Sequence, residues 1–409
     1  MTAHQLLKIT IDQLRPGMHI GNVFNERGTL LYSANTLIQT ADQIESLRRQ
    51  GVTSITIDLK KGSGSDLSVE KSSSEDAELP QHSAENASLD LYTRESVWNA
   101  NTIRQNAADA IKDVMKSVLS GRMFSIRSIA DRVEEITESM TADSDLMLNL
   151  CRLYAHSTDI YTHSVNVSVL MIGCASALNY SREKVLAAGI GGLLHDIGVT
   201  ALPQDLFGRQ GNCTRQEMEL FKKHPALGLE IFSRQAKTYP EGVPEIIAQH
   251  HERLNGEGYP MQLTGDRIRD LATLCAIADT YDTLTSRGSF GKIFQPQEAL
   301  ALIFQGAEEE YSRTIVEHFT KLLGIYPVGS FVKLDTGEMG VVVRNNRRKL
   351  LSPMVRILFG SDGKRLAASY IRDLAIHEPR FDDQMAKILH SLDPTSYKIE
   401  VEYHIFRAS

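Results

Sequence analysis

Between His195 and Asp282 the chain sets an adjacent His195-Asp196, a lone His224, an adjacent His250-His251 and the carboxylates Asp279 and Asp282 into runs that otherwise read as apolar helices. A helix that only has to pack has no use for a His-Asp or a His-His pair. A buried carboxylate without a partner is costly, so such runs fold only where something satisfies the charge. Neutral imidazoles and carboxylates are what divalent transition metals take as ligands. Helix bundles build dinuclear carboxylate–histidine centres from facing helices. The stretch therefore predicts a metal-binding site held by helices, with the rest of the chain as its housing.

Each residue taken singly has a plainer explanation. His163, in Tyr161-Thr162-His163-Ser164, lies among Val, Leu and Ile, where a lone His is more often a hydrogen-bonded core residue than a ligand. His195 closes the apolar Gly191-Gly192-Leu193-Leu194, and a His there suits the negative end of a helix dipole. The dipole does not account for Asp196. His224 precedes Pro225, where helices stop or restart, so a structural role and a ligand role are equally open. His250 and His251 point about 100° apart on a helix, so both face one interior only near a helix end. Gly256, Gly258 and Pro260 supply irregular backbone at that place. Taken together, five His and two Asp on separate helices of one bundle make a strong case for metal.

The flanking sequence divides into parts. Residues 1–59 read as a small α/β domain, with strand-like alternation at 7–11 and 53–57, turn signals at Pro16-Gly17 and Arg27-Gly28, and helical spacing over 41–49 between Thr40 and Gly51. It carries no catalytic motif and reads as a regulatory, docking or self-association module. Residues 60–90, with Lys61-Gly62-Ser63-Gly64-Ser65 and Ser72-Ser73-Ser74-Glu75-Asp76, cannot bury enough apolar surface to offset ordering and read as a flexible linker. Helical periodicity resumes near Leu91. A helical connector over 91–148 leads into the metal-binding part at 149–325. Ile103, Ala107, Ala110, Ile111, Val114 and Val118 fall on one face, as do Ile129, Val133 and Ile136, and further helical patterns cover 182–195, 214–233, 243–251, 268–285 and 296–304. The last part, 326–409, reads as a small antiparallel β extension with runs at 331–334, 340–343 and 354–359, and one more strand over 397–406. The fold class is mainly α: a helical bundle with a small α/β N-terminal domain and a small β-rich C-terminal extension.

A hydrophobic share of 42% and a charged share of 23% are those of a globular protein, and the formal net charge of −7 argues against a polymeric nucleic-acid partner. None of Cys151, Cys174, Cys213 and Cys275 forms a CxxC pair, which leaves a structural zinc site or disulfide framework unsupported. The first residues lack a basic flank followed by an apolar run. The most apolar stretch, 165–178, is broken by Asn166, Ser168 and Ser176 and reads as too short to span a bilayer. The expected location is cytoplasmic.

The run His195-Asp196-Ile197-Gly198, followed by His250-His251-Glu252 and Asn255-Gly256-Glu257-Gly258-Tyr259-Pro260, resembles the HD-GYP family of bacterial cyclic-dinucleotide phosphodiesterases. Leu14-Arg15-Pro16-Gly17-Met18 is similar to a small domain often found before HD-GYP units, and Tyr326-Pro327-Val328-Gly329 to the β extension that often follows them. The resemblance implies a bundle of HD-domain type with two or three divalent metal ions, iron or manganese, and a cyclic-dinucleotide substrate. By position it implies the ligands His163, His195, Asp196, His224, His250, His251 and Asp279, with Asp196 as the bridging carboxylate and with His195 and Asp196 central to catalysis. Tyr259 and Arg287 match positions that contact the substrate.

Three positions depart from the family pattern. Val199 stands where a Lys often follows His-Asp-x-Gly, so a cation for the substrate phosphate is missing there; Lys222 and Lys223 are candidates to replace it. Asp159 stands where members with three metals carry Glu, and shares a helix face with His163. After Arg287 the second basic residue is displaced to Lys292. The implied function is hydrolysis of cyclic di-GMP to pGpG and GMP, lowering a second-messenger level. The alternatives are hydrolysis of another cyclic dinucleotide such as cyclic GMP-AMP, and a non-catalytic cyclic-dinucleotide sensor; a generic HD hydrolase has no need of the His-His pair or of Gly258-Tyr259-Pro260.

Overall fold

The computed structural model describes residues 6–25, 30–38, 40, 44, 47–48, 52–58, 92–153, 159–203, 206, 214–235, 238–287, 293–376 and 385–406. The expected linker therefore lies outside the described residues, as does most of the expected helix over 41–49. The chain separates into two compact units, Met1–Ser83 and Ala84–Ser409.

In the first unit, β1 (Leu6–Thr10), β2 (His19–Asn25), β3 (Leu30–Leu37) and β4 (Val52–Asp58) form an antiparallel sheet in the order β1-β4-β2-β3. Pairing of Ile9 with Ile55 sets the register, and Ile9, Ile20, Ile55 and Ile57 turn inward onto Leu14, Met18, Ile38, Ile44 and Leu47. The strands at β2 and β3 carry polar residues such as Asn22, Asn25 and Ser33, which is why alternation alone does not reveal them.

The second unit opens with α1 (Arg94–Leu119), capped by Thr93, whose side chain accepts from the Ser96 amide. Then come α2 (Ile126–Ala142) and α3 (Ser144–Leu153), the latter capped by Asp143 Oδ1, which accepts from the Leu146 amide at 2.9 Å. The α2 face of Ile129, Val133, Ile136 and Met140 is buried as the spacing requires. At the centre lies α4 (Ile160–Ala177), followed by α5 (Arg182–Leu194) and a 3-10 turn (Ile197–Ala201). Helix α4 has 18 residues, more than the apolar stretch 165–178, and by length and composition alone could cross a membrane; 72% of it is buried inside this protein and it carries His163. Apolarity all round is what a helix packed on every side needs.

The helical pattern over 214–233 breaks in two. Helix α6 (Arg215–Phe221) ends, Lys222 and Lys223 turn, and α7 (His224–Gln235) restarts with Pro225 in its first turn, where a missing N–H costs nothing. Helix α7 lies against the 3-10 turn so closely that a Cβ on Gly198 would stand 1.9 Å from the His224 carbonyl oxygen. Helix α8 (Val243–Gln249), α9 (Asp270–Asp282) with a following π-helical turn (Thr283–Arg287), α10 (Pro296–Gln305) and α11 (Arg313–Leu323) complete the bundle.

Beyond it, β5 (Phe331–Leu334), β6 (Met339–Arg344), β7 (Met354–Phe359), β8 (Arg365–Asp373) and β9 (Ile388–Leu392) form an antiparallel sheet in the order β8-β7-β6-β5-β9. The strand expected over 397–406 is instead α12 (Val401–Phe406): Lys398 ends a 3-10 turn in the left-handed region, and Val401 and Ile405 then turn to the sheet core at helical spacing. Arg347 bonds Ser144 and Asp145 of α3, and Asn345 bonds the Leu323 carbonyl, so sheet and bundle are tied together.

Candidate metal centre

Four elements bring their imidazoles to one place. His163 comes from the first turn of α4, His195 from the end of α5, His224 from the start of α7 and His250 from the end of α8. All four are buried. In three of them the local helix fixes the ring. His195 Nδ1 lies 2.8 Å from the Gly192 carbonyl, His224 Nδ1 2.9 Å from that of Phe221, and His250 Nδ1 3.0 Å from that of Ile247. A carbonyl only accepts, so each Nδ1 carries the proton and each Nε2 presents a bare lone pair.

The Nε2 atoms then meet one another in an arrangement that demands a cation. His224 and His250 point their Nε2 atoms at each other across 3.1 Å, two acceptors with no proton between them. Among the described residues, the buried His195 Nε2 has no hydrogen-bond partner. Burial holds the imidazoles of His224 and His250 in the neutral form, pushing His250 down to about 3 with help from His195 and His224. Burial and the neighbouring imidazoles of His250 and His224 also push His251 well down. Lone pairs of this kind are metal ligands in waiting, and the residues fit a divalent ion.

Asp196 joins the parts. Its Oδ1 lies 3.3 Å from His224 Nε2 and 3.9 Å from His250 Nε2, while its Oδ2 lies 3.5 Å from His195 Nε2 and 4.0 Å from His163 Nε2. One carboxylate thus faces two ligand groups: Asp196, His224, His250 and His251 on one side, and His163, His195 and Asp196 on the other. Asp279 repeats the arrangement, with Oδ1 3.2 Å from His163 Nε2 and Oδ2 3.9 Å from His251 Nδ1. Burial would raise the Asp196 carboxyl, but the imidazoles of His195, His224, His163 and His250 outweigh it and hold it well below the usual carboxylate range. Asp279 is likewise held well down against burial, by the bond to His163 and by His251.

The segment after α8 folds back over this centre. Glu252 is buried, and its carboxylate accepts from the Met261 amide at 2.7 Å and the Leu263 amide at 2.9 Å. The Tyr259 amide donates to the His251 carbonyl at 3.1 Å, and the Tyr259 ring stacks on His251 with centroids 4.5 Å apart. The turn is tight enough that a Cβ on Gly258 would stand 2.4 Å from the Arg253 amide nitrogen. Burial, with the carboxylates of Asp279 and Asp196, raises the Tyr259 phenol well above its ordinary value, so it is a hydrogen-bond donor. Lys222 holds its ammonium 5.9 Å from the centre of that ring and 3.0 Å from Glu219. Val199, on the 3-10 turn, is buried.

Two expected residues stand differently. Asp159 is exposed and caps α4, its Oδ2 accepting from the Thr162 amide at 3.2 Å and the Thr162 hydroxyl at 3.1 Å; it belongs to neither ligand group. An N-cap faces its own helix, which helical spacing alone does not reveal. Of Arg287 only the backbone, the last residue of the π turn, is described, and Lys292 lies outside the described residues. Asp282, part of the stretch singled out in the sequence but not among the expected ligands, sets its Oδ2 2.7 Å from His163 Nδ1, and Asn166, read only as a break in an apolar run, bonds Asp282 at 2.8 Å. A carboxylate one helical turn after Asp279 was the available signal for the first.

Fold and site together define an HD domain: a helical bundle with an adjacent His-Asp in a His/Asp cluster that could hold metal. A family model of the HD domain matches residues 129–315, one for a domain of unknown function, DUF3391, matches 6–129, and one for a KOW domain associated with the HD domain matches 331–394. The cyclic di-GMP phosphodiesterase PA4108 of Pseudomonas aeruginosa is 30% identical over 380 residues, which cover 90% of this chain and 89% of that protein. The 3'3'-cGAMP-specific phosphodiesterase 2 of Vibrio cholerae is 24% identical over 220 residues, 53% of this chain and 42% of that protein. Among solved structures, Bd1817 of Bdellovibrio bacteriovorus, described as an HDG"Y"P protein, aligns with a TM-score of 0.49 at 17% identity, covering 78% of this chain and 99% of that one. The chain belongs to the HD-GYP family.

Proposed function

We propose that this chain is a metal-dependent phosphodiesterase that hydrolyses cyclic di-GMP to linear pGpG and GMP. The observation that carries the reading is Asp196, whose two oxygens face two separate groups of imidazole lone pairs. That arrangement suits two ions sharing one carboxylate. The ligands are His163, His195, Asp196, His224, His250, His251 and Asp279, and a donor set of nitrogen and oxygen without thiolate suits iron or manganese. Asp159 is the candidate for a third ion only if its cap to α4 is given up.

Divalent ions, if held there by these ligands, would supply positive charge against the phosphodiester and lower the pKa of a water so that hydroxide is available at neutral pH. The chain's own residues do the rest. Tyr259 keeps its proton and its hydroxyl donates a hydrogen bond to a phosphate oxygen. Lys222, beside that ring, supplies the cation that Val199 does not, and Arg287 grips a second phosphate oxygen in bidentate fashion. Glu252 fixes the loop that carries Tyr259, so the phenol is placed before substrate arrives. The similarity to a cyclic di-GMP phosphodiesterase over nearly the whole chain supports the choice of substrate. The same reading puts the reaction in the cytoplasm, where it lowers the level of a bacterial second messenger.

The test is anaerobic purification with elemental analysis, then incubation with cyclic di-GMP and cyclic GMP-AMP and chromatography of the products. Two or three Fe or Mn per chain, with linear dinucleotide or GMP from cyclic di-GMP, is the expected result. Turnover of cyclic GMP-AMP alone would replace the substrate. Bound metal with both substrates intact would refute the enzyme and leave a sensor.

A further inference from the structure

His163 differs from the other three clustered imidazoles in how its ring is held. His195, His224 and His250 lean on carbonyls of their own helix or the preceding turn, so local backbone sets them. His163 turns Nδ1 to a side chain 119 residues away, Asp282 Oδ2, at 2.7 Å. Ser286 Oγ donates to the same oxygen at 3.0 Å. Asp282 Oδ1 accepts from Asn166 Nδ2 at 2.8 Å, and Asn166 Oδ1 accepts from Arg104 Nη2 at 2.5 Å. Relative exposures of 4% for Arg104, 1% for Asn166 and 4% for Asp282 leave water no room to replace a missing member.

We propose that Asn166 and Arg104 are positioning residues of the metal centre, through which helix α1 sets the orientation of His163 and so the metal affinity of the group His163, His195 and Asp196. The proposal rests on reading that group as a metal site. Its physical basis is the polarity of the chain of bonds. The guanidinium can only donate and a carboxylate can only accept, so the amide between them has one orientation, oxygen to Arg104 and nitrogen to Asp282. That fixes the carboxylate, which accepts from His163 Nδ1–H and so turns Nε2 toward Asp196 and Asp279 in the cluster. Partners of this kind orient a ligating imidazole and raise its basicity, and losing them costs about 10- to 100-fold in metal affinity. Arg104 lies outside the residues 129–315 matched by the HD domain, so a residue from the preceding helix reaches its centre.

The experiment compares the full-length chain with Arg104→Met and the near-isosteric Asn166→Asp. Each is stripped with a chelator and titrated with Mn²⁺, and metal binding is read by calorimetry alongside the melting temperature of the metal-free protein. Two classes of Mn²⁺ site are expected in the unsubstituted protein. Both variants should weaken one class about 10- to 100-fold and leave the other unchanged. Lost turnover should return at saturating Mn²⁺ with KM unaltered. Folded variants that bind Mn²⁺ as the unsubstituted protein does would overturn the proposal, even if they melt earlier, because a merely structural network would shift melting alone. An unsubstituted protein that binds no Mn²⁺ would instead sink the metal reading. One that binds it without hydrolysing a cyclic dinucleotide would sink only the proposed activity.

Discussion

His195 and Asp196 are neighbours in sequence with different duties, one offering a single Nε2 and the other two oxygens to two groups. Removing either therefore takes away more than a ligand. For His195→Ala or Asp196→Ala we expect turnover to vanish and bound metal to fall, read by elemental analysis and product chromatography; full activity in either would sink the site assignment. Lys222 tests a subtler point. If its ammonium meets a substrate phosphate, Lys222→Ala forfeits one charge-assisted hydrogen bond, of the order of 1.5–3 kcal/mol. KM should rise by about tenfold or more at unchanged metal content, and an unchanged KM would return the missing cation to Arg287 alone. At this scale the sequence was legible where residue type and adjacency carried the chemistry, as at His250-His251. It was illegible where the role is made by convergence. Asn166 looks like an interruption in an apolar run until Asp282, 116 residues on, is set beside it.

At the scale of elements, the loop after α8 shows how a motif is built rather than merely present. Glu252 gives both carboxylate oxygens to backbone amides of residues 261 and 263, and Tyr259 closes the turn on the His251 carbonyl. Glu252→Ala leaves the buried Leu263 amide without this partner, at a cost on the order of 1–3 kcal/mol, and frees the more exposed Met261 amide to water. The expected outcome is a lower melting temperature and a higher KM as Tyr259 loses its fixed place, with metal content retained because His250 is held through the carbonyl of Ile247. Thermal denaturation with steady-state kinetics checks it, and an unaltered KM would show that the loop does not position substrate. Helices such as α2 were readable from periodicity because one face is buried, whereas α4 showed itself as an apolar run because it is buried on every face. The break at Lys222-Lys223 and the helical end at Val401–Phe406 were not readable, because a two-residue turn and a six-residue segment are shorter than the stretch of about 11–18 residues over which periodicity shows.

At the scale of the whole molecule, each unit has a core of its own. The Ile9, Ile20, Ile55 and Ile57 cluster serves the first unit, and every residue of both ligand groups belongs to the second. Within the second unit the bundle and the terminal sheet also have separate cores, joined by Arg344 and Arg347 on Asp145 and by Asn345 on the Leu323 carbonyl. A unit with its own core and its own site folds alone. The fragment 84–409 should therefore be cooperative in thermal unfolding, carry the same metal per chain as the whole protein and hydrolyse substrate with the same kcat. The first unit would then act on the reaction only through what it binds, and adding it back would leave kcat unchanged in the absence of that ligand. Loss of metal or of cooperative unfolding in the fragment would show that the first unit is part of the catalytic fold.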